Sequence, residues 1–222
     1  MRKGEQTRAA ILDAALDLAA RRGLEGLTIG VLAARMRMSK SGVFAHFGSR
    51  EDLQIAVLKH YERRFVESVL LPASRPPADS RGCGPCSATG SPTRRWRPSR
   101  ACIWISGAVE YDDRPGAVRD ELVAMVMSWQ RELSRAIGQA VELGELRPDT
   151  DVSAAVFDIY GVILVLHHDA RLLRRPGAAS RALEAFERII AYFGPRSGRR
   201  SRRRRRGEPS MIAGPFCQSN RS

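Results

Sequence analysis

TIGVLAARMRMSKSGVFAHF, residues 28–47, decides how this chain folds. Thr28 stands where a helix N-cap belongs, because its hydroxyl can accept a hydrogen bond from the open N–H groups of a first turn. Leu27 and Leu32 flank the cap at the spacing of a hydrophobic staple, while Val31 occupies the place of a capping-box acid. Ala33 and Ala34 are small enough for two helices to cross closely. Met36-Arg37-Met38 then makes a turn, and Ser39 or Lys40 opens a second short helix. Two short helices joined by a tight turn, the second opening on hydroxyls and a charge, predict a helix-turn-helix whose second helix enters a DNA groove N-terminus first.

The flanks extend the helical pattern. Ile11, Ala15 and Leu18, with Leu12, Leu16 and Ala19 beside them, form the apolar stripe of a first helix that ends at Arg22, and Gly23 follows as a left-handed cap. Gly48-Ser49 closes the second short helix, with Ser49 capping a long helix whose stripe is Leu53, Val57, Tyr61, Phe65 and Val69 and which Pro72 stops. Farther on, Val118, Leu122, Met125, Trp129, Leu133, Ile137 and Val141 keep helical spacing up to Gly144. Pro148-Asp149-Thr150-Asp151 is a turn and cap. Residues 152–173 are apolar nearly all round, which predicts a buried helix. Pro176 starts a last helix carrying Ala179, Leu183, Phe186, Ile190 and Phe193 on one face. No useful length of strand alternation occurs, so the expected fold is all-α. The expected division is a DNA-binding domain over 1–50, a connecting helix over 51–72, an irregular segment over 73–101, a ligand-binding and dimerisation domain over 102–194, and a tail over 195–222.

At 222 residues the chain has enough length for one small and one larger helical domain. Its net charge of +13 invites a nucleic-acid reading, but the charge is unevenly placed. Residues 73–101 and 195–222 hold 15 basic and 2 acidic side chains, whereas residues 1–72 and 102–194 hold 22 of each. Bulk charge is therefore weak evidence for DNA binding. No run reaches the ~18 uninterrupted apolar residues usual for a membrane span. The longest candidate, 154–166, contains Asp158. The N-terminus MRKGEQTR leads into an amphipathic helix with Asp13 and Asp17, unlike a signal peptide, so a cytoplasmic location is expected.

Cysteines at 83, 86, 102 and 217 form no disulfide framework. Cys83-Gly84-Pro85-Cys86 imitates a thiol redox pair, but that chemistry needs a helix N-terminus after a strand, and neither is predicted there. A metal site lacks a second ligand pair. Residues 74–100 are rich in Arg, Pro, Ser and Gly without any apolar period. A long structureless stretch inside a compact domain points either to a natural insert or to a pair of compensating frameshifts, with the true frame resuming near residue 101 or 102. The Arg-rich tail either adds salt-sensitive, non-specific nucleic-acid affinity or is read-through sequence.

The N-terminal block resembles the DNA-binding domain of the TetR family of bacterial transcriptional regulators. The resemblance covers roughly residues 5–61 and rests on a leading helix ending in Gly followed by LTIGVLAARMRMSKSGVFAHFGSREDL, above all Ser39-Lys40-Ser41-Gly42-Val43-Phe44-Ala45-His46-Phe47 and Gly48-Ser49-Arg50-Glu51-Asp52-Leu53. CIWISGAVEYDDRPGAVRDELVAMV, residues 102–126, is similar to the C-terminal domain of some members. The resemblance implies a homodimer on a near-palindromic double-stranded DNA operator, released by a small-molecule effector, with no cofactor and no enzymatic step; no catalytic constellation appears in the sequence.

The resemblance also implies roles for particular residues. Thr28 is a helix cap that also contacts a phosphate in the family, as suits a helix N-terminus. Ser39 and Ser41 face DNA from the head of the second helix, and Lys40 reaches a phosphate or a base edge. Phe47 is core. Phe44 falls where the family often has Tyr; without the hydroxyl it loses a phosphate bond, and a thymine methyl becomes the alternative contact. His46 also replaces a common Tyr and can donate to a phosphate. Arg50 matches the family's basic phosphate contact. Arg37 stands where the family often has Gly, and its charge is within reach of a phosphate. In the C-terminal domain Trp104, Trp129, Phe157, Tyr160, His167 and His168 are candidate pocket residues, because ligand pockets are mostly apolar with a few polar groups. Adjacent helical histidines point about 100° apart and do not share one ion readily. The helices over 151–173 and 176–193 are expected to form a four-helix dimer contact. A basic protein that coats nucleic acid through its Arg-rich segments is the competing function.

Overall fold

The computed structural model describes residues 3–70 and 102–195, and every regular element among the described residues is helical. In chain order these are α1 (Lys3–Arg22), α2 (Ile29–Met36), α3 (Lys40–Phe47), α4 (Arg50–Phe65), one π-helical turn (Val66–Leu70), α5 (Ile103–Tyr111), α6 (Ala117–Glu142), α7 (Val152–Arg171) and α8 (Ala178–Phe193). The chain divides into two compact units, one built on Met1–Phe65 and Arg100–Glu132, the other on Val66–Ser99 and Leu133–Ser222. Pro72, the segment 74–100 with its Cys83/Cys86 pair, and the Arg-rich tail beyond residue 195 lie outside the described residues.

Local chemistry sets the boundaries in the first unit. Gly23 takes φ 77° and its N–H donates to the Ala19 carbonyl at 2.9 Å, closing α1. The Thr28 hydroxyl accepts from the Val31 N–H at 3.2 Å and starts α2. Arg37 adopts the left-handed conformation, φ 55° and ψ 40°, and the Met38 N–H reaches back to the Ala33 carbonyl at 3.0 Å. The Ser39 hydroxyl accepts from the Gly42 N–H at 3.0 Å to start α3. Ser49 and Asp52 satisfy each other at the head of α4: the Asp52 N–H donates to the Ser49 hydroxyl at 2.9 Å, and that hydroxyl donates to the Asp52 carboxylate at 2.6 Å.

One apolar core joins these helices to α5 and the first half of α6. Ile11, Ala15 and Leu18 of α1 meet Leu32 and Ala33 of α2, Val43 and Phe47 of α3, Leu53, Val57 and Tyr61 of α4, Ile103 and Trp104 of α5, and Val118, Leu122 and Met125 of α6. Polar ties close the edges of this core. Asp17, nearly buried, pairs with Arg35 of α2 at 2.7 Å, and Asp13 holds His60 and Arg64 of α4 at 2.9 and 2.7 Å.

The second unit is a smaller helical core. Ile137 and Ala140 at the end of α6, Leu146, Ala155 and Ile159 of α7, and Phe186 and Phe193 of α8 are its buried members. Asp151 caps α7 by accepting from the Ala154 N–H at 3.0 Å. The expectation of an all-round buried helix over 152–173 is corrected here. Within the single chain α7 buries only Ala155 and Ile159, while Phe157, Val165 and Leu164 are exposed. The reason is geometric: α8 and the end of α6 cover one side of α7, and among the described residues nothing covers the opposite side. By length and composition alone α7 is also apolar enough to cross a bilayer, a property shared by core and interface helices of soluble proteins.

The left-handed Arg37 yields a direct prediction. A non-glycine residue in this conformation costs about 1–2 kcal/mol, and glycine carries no such penalty. Arg37→Gly should therefore leave α2 and α3 in place and raise the urea-unfolding free energy by up to about 1 kcal/mol, part of the gain being offset by the freer unfolded chain. An unchanged or lowered free energy would show that Arg37 makes a compensating contact.

Candidate nucleic-acid interface

The sequence of α3 splits the helix into two faces. Val43 and Phe47, one turn apart, are buried in the core. Phe47 is also covered by the Arg8 guanidinium, 5.1 Å from the ring centre. With those two positions fixed inward, Lys40, Ser41, Phe44 and Ala45 turn outward and are exposed. Phe44 keeps 53% of its surface in solvent, a high value for a phenylalanine whose helical neighbours are core.

The head of α3 is organised by its own hydroxyls. Ser39 and Ser41 share a hydrogen bond at 3.1 Å while Ser39 caps the helix. Gly42 belongs here because a side chain at that position would press a Cβ to 3.1 Å from the Ser39 hydroxyl. The Lys40 stem passes over Gly30 of α2, where a Cβ would lie 3.4 Å from the lysine Cε. Lys40 is thereby carried from the head of α3 towards the head of α2, the end at which Thr28 sits. Two helix N-termini and one ammonium in the same neighbourhood are an arrangement that suits phosphate. His46 is half-buried, its ring 6.3 Å from that of Phe47.

The Arg50 guanidinium is already engaged within the protein. It donates through Nε to the Leu27 carbonyl at 3.3 Å, donates through Nη2 to the Glu25 carbonyl, and pairs with the Glu25 carboxylate at 3.0 Å. Glu25 is a residue that sequence reasoning missed. Its carboxyl is held below the usual carboxylate range, chiefly by the hydrogen bond from Arg50, with Tyr111 and Arg114 adding to the effect. Gln54, also missed, is almost fully buried and donates to the Leu24 carbonyl at 2.7 Å, fixing the same turn from α4. No local pattern announces these contacts, since each partner lies more than twenty residues away.

The six nominated pocket residues do not gather in one unit. Trp104 is buried in the first unit's core, in edge contact with Tyr61 at 5.1 Å and Phe65 at 4.7 Å between ring centres, and Trp129 packs against the same core. Among the described residues no acceptor reaches the buried Trp104 indole N–H. The Tyr61 hydroxyl donates to the Cys102 sulfur at 3.6 Å, and burial pushes both groups' pKa values up. Phe157, Tyr160, His167 and His168 all lie on α7 in the second unit, where Phe157 is 79% exposed, Tyr160 and His167 are half-buried and His168 is exposed. Among the described residues no three His, Cys, Asp or Glu side chains group as a metal site.

Two family models match the chain. One, described as bacterial regulatory proteins of the tetR family, covers residues 11–57; the other, a tetracyclin repressor-like C-terminal domain, covers residues 86–186 and so begins inside the irregular segment. An HTH-type transcriptional repressor from Mycobacterium tuberculosis is 41% identical over 75 residues, 34% of this chain and 38% of that protein, and an HTH-type transcriptional regulator from Mycobacterium bovis matches to the same extent. The match thus spans little more than a third of those relatives. Among solved structures, a TetR-family transcriptional regulator from Cytophaga hutchinsonii aligns over 89% of this chain and 99% of its own at 22% identity, with a TM-score of 0.71. A transcriptional regulator from Saccharomonospora viridis, solved with choline, aligns over 86% and 100% at 20% identity, with a TM-score of 0.64. At these identities the likeness is one of fold.

His167 supplies a pH test of the second unit. Burial, then the nearby Arg171 and His168 charges, lowers its pKa, and its buried Nε2 meets no hydrogen-bond partner among the described residues. A histidine with a lowered folded pKa lets the unfolded chain bind the proton more readily, so its stability contribution is complete above about pH 6.5 and declines as pH falls below that value. Urea midpoints measured from pH 7.5 to 5 should fall in the acid range, and His167→Gln should flatten that slope. An equal slope in the variant would exclude His167 as its source.

Proposed function

The chain belongs to the TetR family of bacterial regulatory proteins, and on that premise we propose that it is a transcriptional repressor that binds a near-palindromic operator as a homodimer and is released by a small molecule. The observation that carries the DNA-binding reading is the outward face of α3. A short helix fixed through Val43 and Phe47 presents Lys40, Ser41 and an exposed Phe44 together, with Ser39 at its head. In this reading Ser39, Ser41, Thr28 and His46 position the protein on phosphates, Lys40 contacts a phosphate or a base edge, and Phe44 presses a thymine methyl. Arg37, exposed at the turn, adds a charge beside the same backbone.

The dimer is proposed along α7 and α8. Phe157, Val165 and Tyr192 leave 79%, 61% and 70% of their surfaces exposed, an apolar display that a second copy would cover. Two α3 helices would then meet half-sites about 34–36 Å apart. For the effector, Trp104 has the strongest support of the nominated residues, because a buried indole N–H without an acceptor carries a desolvation penalty that a ligand acceptor would relieve. Effector and operator binding would be reciprocally coupled. A cytoplasmic location follows from this function.

The test is selection of an operator from random duplex DNA, followed by salt titrations on the selected and scrambled duplexes. A sequence-specific regulator prefers the selected duplex by a factor of about 10³ or more, whereas a coating protein shows no preference. Lys40→Ala should reduce the slope of log K against log salt by about 0.9 for each phosphate that the ammonium neutralises, or about 2 per dimer. An unchanged slope would remove Lys40 from the phosphate-binding set.

A further inference from the structure

The turn between α1 and α2 is gripped from two sides. From α4, Arg50 and Gln54 hold the backbone of residues 24–27. From α5 and the residues after it, three more groups converge. The Glu110 carboxylate accepts from the Glu25 N–H at 2.8 Å, the Tyr111 hydroxyl donates to the Glu25 carboxylate at 3.1 Å, and the Arg114 guanidinium pairs with it at 3.0 Å. Glycines permit this approach. A Cβ on Gly23 would collide with the Glu110 carboxylate, and one on Gly107 would stand 2.7 Å from the Leu24 side chain.

The Glu25 carboxylate is therefore shared. One oxygen faces Arg50, and the other faces Tyr111 and Arg114. Arg50 opens α4 immediately after α3 and keeps 41% of its side chain in solvent, so its guanidinium can exchange Glu25 for another anion without breaking into the core. A DNA phosphate beside α3 is such an anion. The strength of the Glu25–Arg50 pair depends in turn on how much of the carboxylate's charge Tyr111 and Arg114 satisfy.

We propose that Glu25 is a positioning residue that competes with operator phosphate for Arg50, and that Tyr111 and Arg114 set the strength of that competition. The inference rests on the operator reading for its phosphate. When Arg114 and Tyr111 hold the carboxylate, Arg50 is easier to release to DNA. When the end of α5 withdraws, Glu25 retains Arg50 and the DNA-binding face loses a cation. A displacement of α5 thus reaches the DNA-facing residues through one carboxylate, without α3 itself having to move.

The experiment uses the full chain, the variants Glu25→Gln, Arg114→Met and Arg50→Met, and the doubles Glu25→Gln/Arg114→Met and Glu25→Gln/Arg50→Met, with salt titrations on selected and scrambled duplexes. Glu25→Gln should bind both duplexes more tightly, by about threefold to tenfold per dimer if the exposed pair has its usual worth, with a salt slope steeper by about 0.9 per subunit. Arg114→Met should bind more weakly, and that deficit should vanish in Glu25→Gln/Arg114→Met; Glu25→Gln/Arg50→Met should bind no more tightly than Arg50→Met. Weaker or unchanged binding by Glu25→Gln at an unchanged slope, with its thermal midpoint preserved, would reduce Glu25 to a brace of the turn and overturn the proposal. If Glu25→Gln does not fold, the Arg114→Met slope alone decides: a shallower slope supports the competition, and an unchanged one leaves Glu25 a brace of the turn. Phosphate binding does not depend on sequence, so the slopes decide this question even if wild type fails to prefer the selected duplex, an outcome that would sink the operator reading instead.

Discussion

The burial of Val43 and Phe47 is the constraint on which the rest of this structure depends. A helix as short as α3 has no stability of its own in water, so its position is set by what its apolar face meets. Two side chains one turn apart, both inside a core shared with α1, α2 and α4, leave α3 a single rotation about its axis. That rotation decides which residues face outward. Had Phe44 taken the place of Phe47 in the core, Ser41 and Lys40 would have turned away from the surface they now form. The caps refine the same decision: Ser39 starts α3 and Gly48, at φ 78°, ends it, so the helix can neither extend nor slip.

The turn before α2 is where this arrangement becomes mechanical. Leu24 and Leu27 are fully buried, and between them Glu25 points its carboxylate to the surface, where α4 and the end of α5 both reach it. A carboxylate paired with two arginines and a tyrosine in partial solvent adds little to stability, because exposed ion pairs are worth about 0–1 kcal/mol. Its importance lies in geometry. It makes the entrance to α2 sensitive to elements some 85 residues later in the chain, and does so with exchangeable polar contacts instead of packed side chains.

What the sequence made legible follows the range of each interaction. The Thr28, Ser49 and Asp151 caps and the left-handed Gly23 depend on neighbours within a few residues, and the structure has each where the pattern put it. Glu25, Gln54, Tyr111 and Asp17 depend on partners brought in by the fold, and nothing in spacing or composition marks a surface glutamate as a hub. Arg50 falls between the two cases: its place at the start of α4 was readable, but its engagement with Glu25 was not. Trp104 and Trp129 join the first unit's core, whereas Phe157, Tyr160, His167 and His168 lie on α7 in the second unit outside its buried set, because helical periodicity does not say which face of a helix meets which neighbour.

The same limit explains α7. An apolar residue every third or fourth position and others between them predict burial on all sides, and this would be correct if burial were a property of one chain. In α7 the inward positions Ala155 and Ile159 are small or branched and sit against α8, while the outward positions carry Phe157 and Val165. The largest apolar surface is on the side that no other described residue covers. Were α7 only a core helix, the reverse distribution would be expected, since the transfer of a Phe side chain out of water is worth more than that of an Ala. The sequence pattern thus describes a helix with apolar residues on two faces, of which the described residues of the chain cover one.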